Sequence, residues 1–308
     1  MRNILVVAHT RRDDSLAAAF AVSKQLEESG ISPVMTAADL EDFNQYAKSQ
    51  DHLDVPKIKT LNAQVEANAV ELAMVLGGDG TILKAAEIVR DYDIPLMGVN
   101  LGHVGFLAES ERDELASSVA HAVSKNYVIK ERMTLNVDVI VDGAKVFSTW
   151  ALNEATVEKS ARERMLEVVI EVEGSPLSSF GCDGIVISTP TGSTAYAFSA
   201  GGPVVWPEVE AILMVPLSAH ALFSRPMVIK PSATIAVEVL QRSAGHGVLW
   251  CDGRRSWELP PGARVEVSRA NASVKLARLR EASFTERLVR KFSLPVAGWR
   301  GTVNEAAR

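Results

Sequence analysis

The chain has 308 residues, enough for one large domain or two ordinary ones, and its 47% hydrophobic and 23% charged residues are the composition of a soluble globular protein. No apolar run approaches the ~18 residues that a membrane-spanning helix requires, and the formal net charge of -6 argues against a nucleic acid as the main partner, because phosphate backbones are bound by basic surfaces. Cys182 and Cys251 stand far apart and outside any CxxC or Cys/His cluster, so neither a disulfide framework nor a zinc site is expected. They are read as reduced thiols of a cytoplasmic protein.

Residues 3–8 read as a first strand: the apolar run is shorter than a signal-peptide core and is followed by Arg11-Arg12-Asp13-Asp14. A helix over 15–29, stopped by Gly30, and a strand over 32–35 come next. Residues 39–51 are acidic and polar and read as a mobile loop or irregular insert. A buried strand over 72–76, a glycine loop, a helix through Arg90, a strand over 94–99 and a helix over 109–126 complete the series. Alternating β and α units imply a parallel sheet covered on both faces. After Tyr127 the texture changes to short β-rich runs: 135–141, 145–150 and 165–172, with Asp142-Gly143 and Glu173-Gly174 as hairpin turns, then 234–240, 247–251, 264–267 and 274–277. The expected organisation is an α/β domain over 1–130, rejoined by 280–308 through a closing helix over 283–292, and a β-rich domain over 131–279.

The most informative local stretch is Gly77-Gly78-Asp79-Gly80-Thr81, between a strand and a helix. Unpaired N–H groups of the helix's first turn favour an anion, and Gly77, Gly78 and Gly80 permit positive φ and a close approach of backbone to phosphate. Strand-loop-helix junctions are where open α/β sheets bind ligands. Asp79 would be repelled by a phosphate, so its carboxylate is expected either to hold a metal ion or to accept a proton from a hydroxyl nucleophile. The plainer reading is a simple turn, since Gly and Asp are common turn residues.

Other clusters follow. Asn100-Leu101-Gly102-His103-Val104-Gly105-Phe106-Leu107 reads as a second glycine-spaced loop after a strand, with His103 in a candidate or merely solvated position. Neither GxGxxG nor GxxxxGK[ST] is present, so a standard Rossmann hydride-transfer site and a Walker loop are unsupported. Asn153-Glu154 interrupts an apolar strand: an amide beside a carboxylate suits an adenine edge and ribose hydroxyls, while an edge strand or bulge with solvated side chains explains it as well. The segment from Asp183 to Tyr196 (DGIVISTPTGSTAY) crowds Ser188, Thr189, Thr191, Ser193, Thr194 and Tyr196 around a strand end and a helix start, as a hydrogen-bonding cradle for a nucleotide or as an N-cap with spare hydroxyls. Ser218-Ala219-His220 and Ser224-Arg225 form a smaller polar knot, in which Arg225 suits a phosphate or an ion pair equally.

In their order and spacing, GGDGT at Gly77 to Thr81, NLGHVGFL at Asn100 to Leu107, Asn153-Glu154 and DGIVISTPTGSTAY resemble the NAD kinase family. GGDG alone is shared with diacylglycerol-type lipid kinases and, as GGDGS, with phosphofructokinases; the STPTGSTAY block is far more specific. The resemblance implies an α/β N-terminal domain, Rossmann-like with a parallel sheet, plus an all-β C-terminal domain, the NAD kinase/diacylglycerol kinase-like arrangement, in subunits forming homodimers or homotetramers. It implies transfer of a phosphoryl group from ATP or polyphosphate, accompanied by Mg²⁺, to the 2′-hydroxyl of the adenosine ribose of NAD. Asp79 then matches the proton acceptor, Gly80 its loop partner and Lys84 a contact to the dinucleotide, with Gly77, Gly78, Gly80 and Thr81 as the phosphate loop. Asn153 and Glu154 match the pair holding the adenosine, and Asp183 a further NAD contact. Thr194, Ala195, Tyr196, Ala197, Phe198 and Ser199 match the segment closing around NAD, and Arg164 another basic contact. Gly181 departs from the Arg of many relatives. The competing readings are a lipid or sugar kinase sharing only the glycine loop and a non-catalytic NAD(P) sensor; formation of NADP from NAD and ATP separates them.

Overall fold

The computed structural model describes residues 2–50, 54–102, 105–108, 110–160, 164–279 and 283–296. The chain divides into two compact units, Met1–Lys130 with Lys275–Arg308, and Glu131–Val274. In chain order the first contributes β1 (Asn3–Ala8), α1 (Asp13–Glu28), β2 (Ser32–Met35), α2 (Ala37–Ser49), β3 (Lys59–Thr60), β4 (Leu72–Leu76), α3 (Asp79–Val89), β5 (Leu96–Asn100), β6 (Ser110–Glu111), α4 (Leu115–Ser124) and β7 (Val128–Arg132). Then come β8 (Leu135–Val141), β9 (Ala144–Ala151), β10 (Glu154–Lys159), β11 (Leu166–Val172), β12 (Ser175–Cys182), β13 (Gly184–Ser188), α5 (Tyr196–Ser199), β14 (Ile212–Leu217), β15 (Met227–Ile229), β16 (Ile235–Val239), β17 (Gly247–Cys251), β18 (Arg255–Leu259) and β19 (Arg264–Arg269). Finally β20 (Val274–Arg278) and α6 (Phe284–Phe292) follow. No described helix is long and apolar enough to cross a membrane.

The first unit is built on a sheet ordered β3-β2-β1-β4-β5-β20-β7, with β6 on β5. β1, β4 and β5 pair in parallel and are buried at every position, as strands covered on both faces must be. Two expectations fail here. Residues 39–49 are helical, within α2: Thr36 caps it by accepting from Asp39 N at 3.1 Å, and Asp39, Phe43 and Ala47, four residues apart, form its buried stripe. Phe43 stacks on Phe20 of α1 with ring centroids 5.9 Å apart. The acidic, polar composition hid that narrow stripe. Residue 51 lies outside the described residues. The run 274–277, expected to continue the β-rich series, instead joins the parallel sheet as β20, pairing Leu276 with Leu96 of β5. Alternation alone does not say which sheet a strand enters.

The second unit is a sandwich of two six-stranded antiparallel sheets, β15-β14-β13-β10-β17-β18 and β12-β11-β16-β19-β8-β9. Alternate residues of β8, β11, β16 and β19 meet those of β10, β13, β14 and β17 in one apolar core that also holds both thiols. The turns Asp142-Gly143 and Glu173-Gly174 take positive φ at both residues (51° and 76°, 53° and 74°), as type I′ hairpins demand. β13 is buried on both faces, because Ala197 of α5 covers Val186 and Val215 on the side away from that core.

Candidate active site

In the first unit, the site grows from the carboxyl end of β4. Gly77 carries φ 152°, and a Cβ there would sit 2.5 Å from Thr81 Oγ1, so this position requires glycine. Gly78 has φ -86° and, like Gly80, open space where a Cβ would be; only Gly77 of the three uses the positive φ expected of them. Gly78 and Gly80 are exposed and α3 begins at Asp79; Thr81 N and Ile82 N already donate to Gly78 O at 2.9 and 3.2 Å, so the anion-facing donors of this helix start are the N–H groups of Asp79 and Gly80.

The half-buried Asp79 carboxylate is held from the second glycine loop: Oδ2 accepts from Phe106 N and Oδ1 from Leu107 N, each at 3.1 Å. A Cβ on Gly105 would overlap Oδ1, which explains a glycine at that position. Behind this loop α6 supplies Phe284 and Phe292, whose rings lie 5.9 Å from that of Phe106, and Arg287, which donates to Phe106 O at 3.0 Å. His103 and Val104 lie outside the described residues. Lys84 is not brought to Asp79. Five residues on, it points about 140° around α3 and its Nζ lies 2.5 Å from Asp39 Oδ1 of α2.

In the second unit, Asn153 and Glu154 sit at the junction of β9 and β10, both buried. Much of the hydroxyl-rich segment serves the backbone around them. Ser188 Oγ donates to Asn153 O at 3.0 Å, Thr189 Oγ1 to Leu152 O at 2.6 Å, and Ser193 Oγ to Val205 O at 3.1 Å. Thr194 Oγ1 donates to Thr191 O at 3.3 Å. The expected cradle of ligand-facing hydroxyls is therefore largely an internal clasp, and 191–194 form a 3₁₀ turn before the short α5. Tyr196, Phe198 and Ser199 are exposed, Ala195 is half-buried, and Ala197 is a packing residue. Asp183 pairs with Lys159 at 2.5 Å; that hydrogen bond, helped by one from Ser218 and the charge of His220, holds its carboxyl below the usual range. Gly181 O accepts from His220 N at 2.9 Å, the exposed Arg164 donates to Ala244 O at 2.7 Å, and Arg225 lies exposed on its loop.

The family model for the ATP-NAD kinase N-terminal domain matches residues 4–127, and that for the ATP-NAD kinase C-terminal domain matches 152–279. The chain belongs to the NAD kinase family. It is similar to an NAD kinase of Leifsonia xyli subsp. xyli, with 59% identity over 300 residues covering 97% of each chain. Among solved structures, it shares the fold of yeast NADH kinase complexed with NADH (TM-score 0.85, 21% identity, 98% of this chain and 90% of that one). The same holds for an NAD kinase from Archaeoglobus fulgidus in complex with ATP (TM-score 0.69, 21% identity, 96% and 100%).

Within this NAD kinase chain, Glu154 is the most perturbed of the expected site residues. Burial, reinforced by the charge of Asp252, pushes its carboxyl up to about 8, and its Oε2 is buried without a hydrogen-bond partner. A buried polar atom of this kind is a natural ligand contact. The shift has a sign for stability. The folded state binds this proton more tightly than the unfolded one, so the contribution is intact below the ordinary value of 4.5 and is lost as pH rises through about 8. Glu154→Gln is expected to shrink the fall in Tm between about pH 5 and about pH 8 relative to the parent, as read by calorimetry; an equal fall in both would contradict a neutral buried Glu154.

Sequence reasoning missed Asp252, which accepts from Leu152 N and Asn153 N at 2.9 and 2.7 Å. Asp252-Gly253 shows in the sequence only as one more Asp-Gly turn.

Proposed function

We propose that the chain transfers the terminal phosphoryl group of ATP, or of polyphosphate, to the 2′-hydroxyl of the adenosine ribose of NAD, giving NADP. The observation that carries this reading is the Asp79 carboxylate at the start of α3, beside exposed glycines and held by two backbone N–H groups. A ribose hydroxyl is a poor nucleophile at neutral pH, so a carboxylate fixed at its proton is the group the reaction needs. The 2′-oxygen forms a bond to the terminal phosphorus, the bond from phosphorus to the bridging oxygen breaks to release ADP, or a polyphosphate one unit shorter, and the proton passes to Asp79.

Two donated hydrogen bonds leave lone pairs on both Asp79 oxygens for that proton while stopping the side chain from turning away. The N–H groups of Asp79 and Gly80 at the start of α3 and the open faces of Gly78 and Gly80 suit the donor phosphates. Asn153 and Glu154 hold the adenosine, Glu154 through the hydroxyl next to the one that reacts. Asp183 and the exposed edge formed by Tyr196, Phe198 and Ser199 supply further contacts to NAD. Lys84 and Arg164, which the resemblance assigns to the dinucleotide, are engaged with Asp39 and with Ala244 O, and the mechanism draws on neither.

Mg²⁺ bound with the donor would neutralise charge on its phosphates. Among the described residues no three His, Cys, Asp or Glu side chains converge on a metal-sized point, so the fit is to an ion carried by the donor, which needs no protein cage. The proposal includes a cytoplasmic location and assembly as a homodimer or homotetramer. The test is incubation with NAD or NADH, ATP or polyphosphate, and Mg²⁺, followed by a NADP-specific dehydrogenase assay. NADP is expected from NAD and ATP; none from folded protein would overturn the reading.

A further inference from the structure

We propose that Asp252 is a positioning residue for dinucleotide binding, whose carboxylate fixes the backbone of Leu152, Asn153 and Glu154 and thereby aims the Asn153 and Glu154 side chains. The inference rests on the reading above that these two side chains hold the adenosine.

Leu152 and Asn153 fall between β9 and β10, where the main chain breaks from one strand to begin the next. Their amides turn to a single side chain. Asp252 Oδ1 accepts from Asn153 N at 2.7 Å, Leu152 N lies 3.0 and 2.9 Å from the two carboxylate oxygens, and Glu154 N reaches Oδ1 at 3.4 Å. In the other direction Asp252 N donates to Glu154 O at 3.0 Å. The two segments are bound to each other through both backbone and carboxylate.

The Asp252 side chain is 1% exposed, so its charge must be compensated locally. Arg255 does this: Nη2 lies 2.7 Å from Oδ2, Nη1 3.4 Å from Thr149 Oγ1, and the guanidinium sits 4.5 Å from the centre of the Trp150 ring. A hairpin turn does not ask for any of this. Asp252 and Gly253 have φ 54° and 63° between β17 and β18, a type I′ turn that Asn-Gly serves as well as Asp-Gly. The carboxylate is therefore explained by what it holds, and Asn at this position keeps the turn while removing the charge.

That charge also acts on Glu154. The titratable groups that bear on Glu154 are Asp252, just after β17, Cys251 at the end of β17 and Tyr196 on α5; burial raises the Asp252 carboxyl itself, opposed by the three backbone N–H groups and by Arg255 on β18. The Cys251 thiol is pushed up to about 12 by burial and the Tyr196 phenol is raised by burial, so neither titrates near neutrality. Removing the Asp252 charge leaves Glu154 easier to ionise.

The experiment measures kcat and KM for NAD and for ATP separately, with kcat/KM for NAD as a function of pH, in Asp252→Asn, Arg255→Gln, Asn153→Ala and Glu154→Gln. Asp252→Asn is expected to raise KM for NAD ~10-fold or more, the effect of losing one well-made buried interaction, with kcat and KM for ATP nearly unchanged. The limb that Glu154→Gln abolishes in the NAD profile should move to lower pH in Asp252→Asn. An unchanged KM for NAD in Asp252→Asn, while Asn153→Ala and Glu154→Gln raise it, would overturn the positioning role alone. So would a parallel loss in every parameter with the limb in place. If Asn153→Ala and Glu154→Gln themselves leave KM for NAD unchanged, the assignment of the adenosine site fails and takes this inference with it. Should Asp252→Asn yield no folded protein, Arg255→Gln decides, because it removes the ion pair that steadies the Asp252 carboxylate: KM for NAD is expected to rise several-fold with kcat and KM for ATP nearly unchanged, and an unchanged KM for NAD overturns the proposal.

Discussion

Asp79→Asn is expected to lower kcat by ~10²- to 10⁴-fold, the range that a positioned general base supplies, while the Kd for NAD changes by less than ~3-fold. An interaction made only as the hydroxyl loses its proton is missed in turnover and not in binding. The same substitution has a second effect. Both carboxylate oxygens accept N–H groups, from Phe106 and Leu107, and an amide turns an NH₂ toward one of them, so the second glycine loop is also loosened. Gly105→Ala separates the two effects, because its Cβ displaces the carboxylate without removing it. It should lower kcat less than Asp79→Asn and add little on top of it. A turnover near that of the parent in Asp79→Asn would remove Asp79 from the chemistry and leave it a clip between two loops.

How much of this site the sequence discloses depends on the range of the interaction. The strand before Gly77 and the helix after it are local, and the apolar run 72–76 followed by a Gly-Asp-Gly start makes both legible. The partners of Asp79 are not: Phe106 and Leu107 offer backbone N–H groups, which carry no residue signature, 27 and 28 positions away. Ser188, Thr189 and Ser193 show the reverse problem. Their side chains advertise hydrogen bonding, and only the fold reveals that carbonyls of Leu152, Asn153 and Val205 take those bonds in place of a ligand. Asp39 illustrates a third case. In sequence it belongs to an acidic stretch read as a loop, yet it is a buried first-turn residue of α2 that pairs with Lys84. Tertiary contacts decided each of these, and composition could not anticipate them.

Gly192→Ala is expected to be the most damaging small substitution in the second unit. Its Cβ would overlap the carbonyl of Asn153 and stand 2.5 Å from Ser188 Oγ. That carbonyl cannot rotate aside freely, because it already accepts from Thr189 N at 2.9 Å and from Ser188 Oγ at 3.0 Å. Either the 3₁₀ turn lifts away or the Asn153-Glu154 backbone shifts, and overpacking of this kind costs ~1–3 kcal/mol. The expected result is a Tm lowered by several degrees together with a raised KM for NAD, since the displaced backbone carries the two residues assigned to the adenosine. Gly143→Ala is the matched comparison. Gly143 has φ 76° with open space around it, so alanine there strains the backbone by ~1–2 kcal/mol and touches nothing. It should lower Tm with KM for NAD intact. If the two variants behaved alike in both measurements, the cost at Gly192 would be that of losing a glycine anywhere, and the fit of the 3₁₀ turn against Asn153 would not be what sets the binding site.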